Sequence, residues 1–162
     1  MTEPWEEEPE GPHFFEAHGL RCAVTRGPMG AWCGYVAVPK GHPFFGKDSD
    51  ANADGKKFSD VSNQPIGKRG IIPLLLATQI GEDDPITIAT LIDVHGSLTY
   101  SGTGVRGIGD KDSWWFGFDC AHLGDIIPKL GPTWRDGVYR DLEYVKRETE
   151  SLARQLAEEA SS

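Results

Sequence analysis

Leu20-Arg21-Cys22-Ala23-Val24-Thr25-Arg26, then Gly27-Pro28-Met29-Gly30, then Ala31-Trp32-Cys33-Gly34-Tyr35-Val36-Ala37-Val38 is the stretch that decides the fold. Two apolar, β-branched and aromatic runs flank a glycine-proline turn. That composition predicts a β-hairpin, with Pro39 ending the return strand. A hairpin alone leaves one face bare, so the rest of the chain must supply a cover. The C-terminal end does. Val138, Leu142, Val145, Thr149, Leu152 and Leu156 recur at spacings of four and three and line up on one helical face. Asp136 and Arg140, Glu143 and Arg147, and Glu150 and Arg154 are opposite charges four apart, suited to the exposed side.

The expected fold is therefore α+β: a small antiparallel sheet with a long C-terminal helix packed on it. A coiled-coil homodimer is the rival use of the heptad-like stripe, but the stripe is short and contains Thr149. Residues 113–119, centred on Trp114-Trp115-Phe116-Gly117-Phe118, read as a further strand. Residues 86–92 read as a central strand that 98–101 continue or pair with, and 102–104 as a turn. Residues 71–80 are apolar, and with Pro73 in a first turn they read as a helix.

The chain has 162 residues, which suits one core. Residues 1–12 hold five glutamates and three prolines and read as a disordered acidic tail, with Trp5 as a candidate anchor; 13–162 read as a single α+β domain. Acidic residues outnumber basic ones 25 to 16, for a formal charge of −9. Such a surface repels phosphate backbones and argues against nonspecific nucleic-acid binding. No apolar stretch reaches membrane-spanning length and no signal segment is evident, so no membrane partner and a cytoplasmic location are expected. Cys22, Cys33 and Cys120 match neither a disulfide framework nor a zinc knuckle and read as buried thiols. Residues 48–64 form a polar excursion. Asp50, Asn52, Asp54 and Gly55 there imitate the start of a calcium loop, but Val61 occupies the position of the closing glutamate.

Polar chemistry concentrates in two segments, 93–100 and 114–125, where strand-like runs break into glycine-flanked polar residues. Three readings compete. In the first, His95, Asp119, His122 and Asp125 hold a divalent transition metal for a hydrolase, because nitrogen and oxygen ligands suit zinc, manganese or iron. No H-E-x-x-H or paired-cysteine signature accompanies them. In the second, Asp119 or Asp125 caps a helix running into Ile126 and the histidines bond to backbone. In the third, a metal-free pocket binds a small molecule or nucleotide. His42, His95, Tyr100, Arg106, Trp114, Trp115 and Asp119 are its candidate lining, with Phe44 and Phe45 as further flat surfaces and Lys68 and Arg69 as further phosphate partners. Adjacent tryptophans on a strand face opposite ways, so at least one of Trp114 and Trp115 is expected in the core. Gly102, Gly104 and Gly107 match a dinucleotide-binding spacing but lack the following helix.

The strings at 34–43, Val94-His95-Gly96-Ser97-Leu98-Thr99-Tyr100-Ser101 and Trp114-Trp115-Phe116-Gly117-Phe118-Asp119-Cys120-Ala121-His122-Leu123-Gly124-Asp125, continuing into 139–145, resemble a family of short uncharacterised proteins from bacteriophages and from actinobacterial and other bacterial genomes. The family's motif carries a second glycine after the position of Gly96. Ser97 stands there in this chain, a departure that bears on the local backbone. The resemblance implies no activity. Its phage setting implies a host-interaction or counter-defence role, including capture of a nucleotide signal. The reading preferred from sequence is a small-molecule or nucleotide-binding protein. A metal-dependent hydrolase and a protein-interaction module acting on a host protein are the alternatives.

Overall fold

The structure is a computed structural model that describes residues 2–61, 67–68, 81–105, 107–109, 111–130 and 137–161. The expected helix at 71–80, Arg69 and Arg106 lie outside the described residues. The strands are β1 (His13–Ala17), β2 (Leu20–Arg26), β3 (Trp32–Pro39), β4 (Asn52–Lys57), β5 (Pro85–Thr87), β6 (Tyr100–Gly102), β7 (Gly104–Val105), β8 (Ile108–Gly109) and β9 (Ser113–Asp119). The α-helices are α1 (Ile88–Leu91) and α2 (Leu142–Ser161). A five-stranded antiparallel sheet runs β1-β2-β3-β9-β6, and α2 packs across β3, β2 and β1.

Period-two alternation builds the sheet. Cys22, Val24, Trp32, Val36, Val38, Phe116 and Phe118 face the helix and are buried. Ala23, Cys33, Tyr35, Ala37 and Trp115 face the other way, where Val105 and Tyr100 join them. From α2, Leu142, Val145, Thr149, Leu152 and Leu156 enter the core, each apolar one contributing about 1.5–3 kcal/mol by burial. The stripe is spent on the sheet, as the α+β reading requires. Gly34 lets the helix come close: a Cβ there would overlap Thr149 Oγ1 and lie 2.6 Å from the Phe118 ring.

Three elements differ from expectation. Strand β1 pairs with β2 through His18-Gly19, at φ +51 and +80, a two-residue turn of the kind that closes tight hairpins. Residues 86–92 do not form a central strand. Only Pro85–Thr87 pairs as a strand, with β4 in a separate two-stranded sheet, because the Thr87 side chain accepts the Thr90 amide and starts a helical turn. Helix α2 begins at Leu142 and not near Val138, because the Asp141 carboxylate caps it by accepting the Tyr144 amide at 2.8 Å. Val138 is left exposed. Arg140 consequently turns to Asp125, 3.0 Å away. In the acidic N-terminal segment, Glu8 is not solvated but reaches the start of α2, where its carboxylate accepts the Leu142 amide at 2.6 Å.

Among the described residues no helix is long and apolar enough to cross a membrane. Cys22, Cys33 and Cys120 are buried and unbridged.

Candidate functional site

The loop of residues 93–97 and the loop of residues 119–125 meet at one end of the sheet beside α2. Polar side chains on one edge of the helix hold the first loop. Gln155 clamps Asp93, accepting its amide and donating to its carbonyl, both at 2.8 Å. Glu148, buried, accepts the His95 amide at 3.0 Å and Lys68 Nζ at 2.8 Å. Tyr144 lies 2.8 Å from His95 Nδ1. Residues 144, 148 and 155 share a helical edge beside the apolar stripe, the only trace of this grip in the sequence.

Asp125 is the hub. Its side chain is 1% exposed. Oδ2 accepts His95 Nε2 at 2.7 Å and the His122 amide at 3.1 Å, while Oδ1 accepts Arg140 Nε at 3.0 Å. Burial pushes its pKa up, but the bonds from His95, the His122 amide and Arg140 outweigh it and hold the carboxyl below its usual range. An ionised Asp125 makes Nε2 of His95 the donor. Burial pushes the Tyr144 phenol up to about 12, so its O–H donates to Nδ1. Both nitrogens of His95 are thus committed.

This overturns the metal reading. Among the described residues no three His, Cys, Asp or Glu side chains are grouped to hold a metal ion. His95 and Asp125 have spent their lone pairs on Tyr144, Arg140 and backbone, so the metal, the divalent cofactor and the metal-dependent hydrolase built on His95, Asp119, His122 and Asp125 are all withdrawn. The capping reading fails as well: no helix runs through Ile126 and Ile127, and the histidines meet side chains, although Asp119 and Asp125 each accept a backbone amide, from Ala121 and His122.

Asp119 and His122 are different, because each side chain is about one-third exposed, 32% and 33%. Asp119 Oδ1 accepts the Ala121 amide at 3.0 Å, and Thr99 Oγ1 donates to Oδ2 at 3.2 Å. His122 Nε2 lies 3.1 Å from Oδ1, within ion-pair range though off hydrogen-bond alignment. The proximity of His122 holds the Asp119 carboxyl below its ordinary range, and the Asp119 carboxylate raises His122 against the opposing effect of burial. The His122 ring packs against Gly96, at φ +67, where any Cβ would overlap it. Ser97 follows at φ +74, so serine here holds the left-handed backbone a glycine would.

Asp119 faces a cleft of about 320 Å³ on the sheet face opposite α2. The turn at residues 27–31 forms one wall and Thr99, Tyr100 and Ala121 another, with Cys33 and Tyr35 as floor. Tyr35 and Tyr100 meet edge to face, ring centroids 5.7 Å apart. Gly117 makes room for the Tyr35 ring, since a Cβ there would overlap it. Among the described residues no lysine or arginine lines the cleft.

Of the candidates named from sequence, Asp119 and Tyr100 line this cleft and His122 stands behind Asp119. His95 and Asp125 are the locked pair beside it. The others are elsewhere. His42 is buried, accepting the Phe44 amide on Nδ1 and donating from Nε2 to the Leu156 carbonyl at 2.7 Å; burial lowers its pKa. Trp115 is 1% exposed on the Tyr35 face, and Trp114 points to the helix side, donating to the Lys47 carbonyl at 2.8 Å. Phe44 is core and Phe45 packs near Trp114. Tyr35, Cys33 and the 27–31 turn were missed as cleft-forming residues, because the sequence shows them only as a hairpin. The calcium-like stretch lies in and before β4, with Asp54 paired to Lys47 Nζ at 2.5 Å.

No family model, curated protein or solved structure matches this chain.

Proposed function

We propose that the protein binds a small, planar, nitrogen-bearing molecule in the cleft beside Asp119. The observation that carries this reading is the pairing of two aromatic rings, Tyr35 in the floor and Tyr100 in the wall, with one accessible carboxylate kept ionised by His122. A flat ring is held by the aromatic surface, and an N–H or a cation on its edge is held by Asp119. The described lining offers an aromatic surface and a carboxylate, so within the small-molecule or nucleotide class the base is the part this reading has recognised. The phage and bacterial kinship rests on the motif residues alone; taken with this reading it makes a host-derived signal molecule the natural ligand.

The test is a thermal-shift and calorimetry panel of free nucleobases, nucleosides, nucleotides and aromatic amines. Base-like rings should raise Tm, with no advantage for the phosphorylated forms. Asp119→Asn should weaken binding about tenfold or more, and Met29→Trp should block it by filling the cleft mouth. No binding across the panel, or binding untouched by both substitutions, would sink the proposal.

A further inference from the structure

The wall of the cleft that carries Ala121 continues into a loop that holds a leucine out in solvent. Leu123, two residues past Ala121, is 97% exposed. Its backbone is tied on both sides. The Asp125 amide donates to the His122 carbonyl at 2.9 Å, and the Val138 amide donates to the Gly124 carbonyl at 2.8 Å. The Ile126 amide donates to the Val138 carbonyl at 2.8 Å, while the Ala121 and His122 amides are accepted by Asp119 and Asp125. Val138, joined to this loop, is 55% exposed. Met29, 41% exposed, lines the other wall of the cleft, where its carbonyl accepts the Lys129 amide at 3.1 Å. Single exposed apolar residues are ordinary on a protein surface, whereas these stand on fixed backbone around one cleft and form a rim that a partner can cover.

We propose that the cleft and this rim together form a docking surface for a basic partner protein, one arginine of which enters the cleft while an adjoining apolar side chain covers Leu123. The inference rests on the reading of the cleft given above and names a partner for it. A guanidinium is planar, cationic and rich in N–H donors, so it meets the same two features, the tyrosine rings and the Asp119 carboxylate. Asp119 has an acceptor to give. Among the described residues Oδ2 takes one bond, from the Thr99 hydroxyl, and a carboxylate oxygen has a second lone pair. Charge favours the pairing, since a −9 chain attracts a basic surface and the described lining adds no cation to oppose it. Lysine fits less well, because its ammonium is a point charge with no flat face to lay on a ring. A small base-like ring and the arginine compete, because both need Asp119.

The probes are an amidated pentapeptide with arginine at its centre between leucines, the same peptide with lysine or citrulline at the centre, and acetyl-arginine amide. Each is titrated calorimetrically into the full chain and into its Asp119→Asn and Leu123→Ser variants. The arginine peptide should bind about tenfold more tightly than acetyl-arginine amide and than the lysine and citrulline peptides. Asp119→Asn should weaken arginine in both forms about tenfold or more. Leu123→Ser, a change at a side chain already in solvent, should bring the peptide down to the level of acetyl-arginine amide and leave binding of base-like rings unchanged. A base-like ring that binds should displace the peptide. The docking surface is overturned, with the cleft reading left standing, if rings bind but the arginine peptide binds no better than acetyl-arginine amide or is indifferent to Leu123→Ser. Equal binding of the lysine peptide overturns it too. If neither rings nor arginine bind, both readings fall.

Discussion

Asp119 and His122 form a partly exposed pair of titratable groups beside the cleft, and their linkage has a definite sign. His122 has a folded pKa above its ordinary value, so its contribution is complete below the usual histidine range and is lost as pH rises through the raised value. Asp119 has a folded pKa below its ordinary value, so its share is present above the usual carboxylate range and is lost as pH falls. The pair therefore stabilises most in mildly acid solution, between those limits. Melting curves of wild type and His122→Asn across pH should show the largest gap there, shrinking above neutrality; a gap independent of pH would contradict the ion pair. His95 shows the opposite design one ring away. Both its nitrogens are bonded, so its role is to position the 93–97 loop.

The contact between α2 and the sheet depends on Gly34 as much as on the apolar stripe. Thr149 Oγ1 donates to the Val145 carbonyl at 2.7 Å, a helix-internal bond that keeps the hydroxyl satisfied while its side chain fills the space over Gly34. Gly34→Ala should push helix and strand apart and cost about 1–3 kcal/mol, read as a lower urea midpoint with unchanged m-value. Adding Thr149→Ala, which removes the hydroxyl oxygen lying over Gly34, should recover part of that loss if the clash is the cause. The elements forming this contact were legible in sequence: β2, β3, β9 and the helix stripe all follow period-two or three-to-four spacing. Strand β1 was not, because its solvent-facing positions include the apolar Phe14 and its inward ones the polar His13, which blurs the alternation. Residues 86–92 misled for a different reason. Their β-branched composition fits a strand, but the cap formed by Thr87 overrides that preference locally.

Across the molecule, Asp125 ties together loops and helix that lie far apart in sequence. It joins His95, His122 and Arg140, and through His95 it reaches Tyr144 on α2. Asp125→Asn loses the charge and turns one acceptor into a donor, leaving either His95 or Arg140 unmatched. The expected cost is about 2–3 kcal/mol in chemical denaturation, with hydrogen exchange rising first in the 93–97 and 119–125 loops. The sequence by itself determined the hairpin, the strand at 113–119, the helix, their union in an α+β fold, and the two segments where polar chemistry gathers. All of these are local patterns, carried by side-chain spacing and turn residues within a few positions. Only the tertiary structure decided which polar groups are spent on each other. Whether a histidine is free depends on partners 30 and 49 residues away, such as Asp125 and Tyr144 for His95, and no spacing rule encodes them. The cleft arose the same way, from a turn, an edge strand and a central strand brought together by sheet register, and the contacts of Glu8 with Tyr139 and Leu142 join residues more than 130 positions apart.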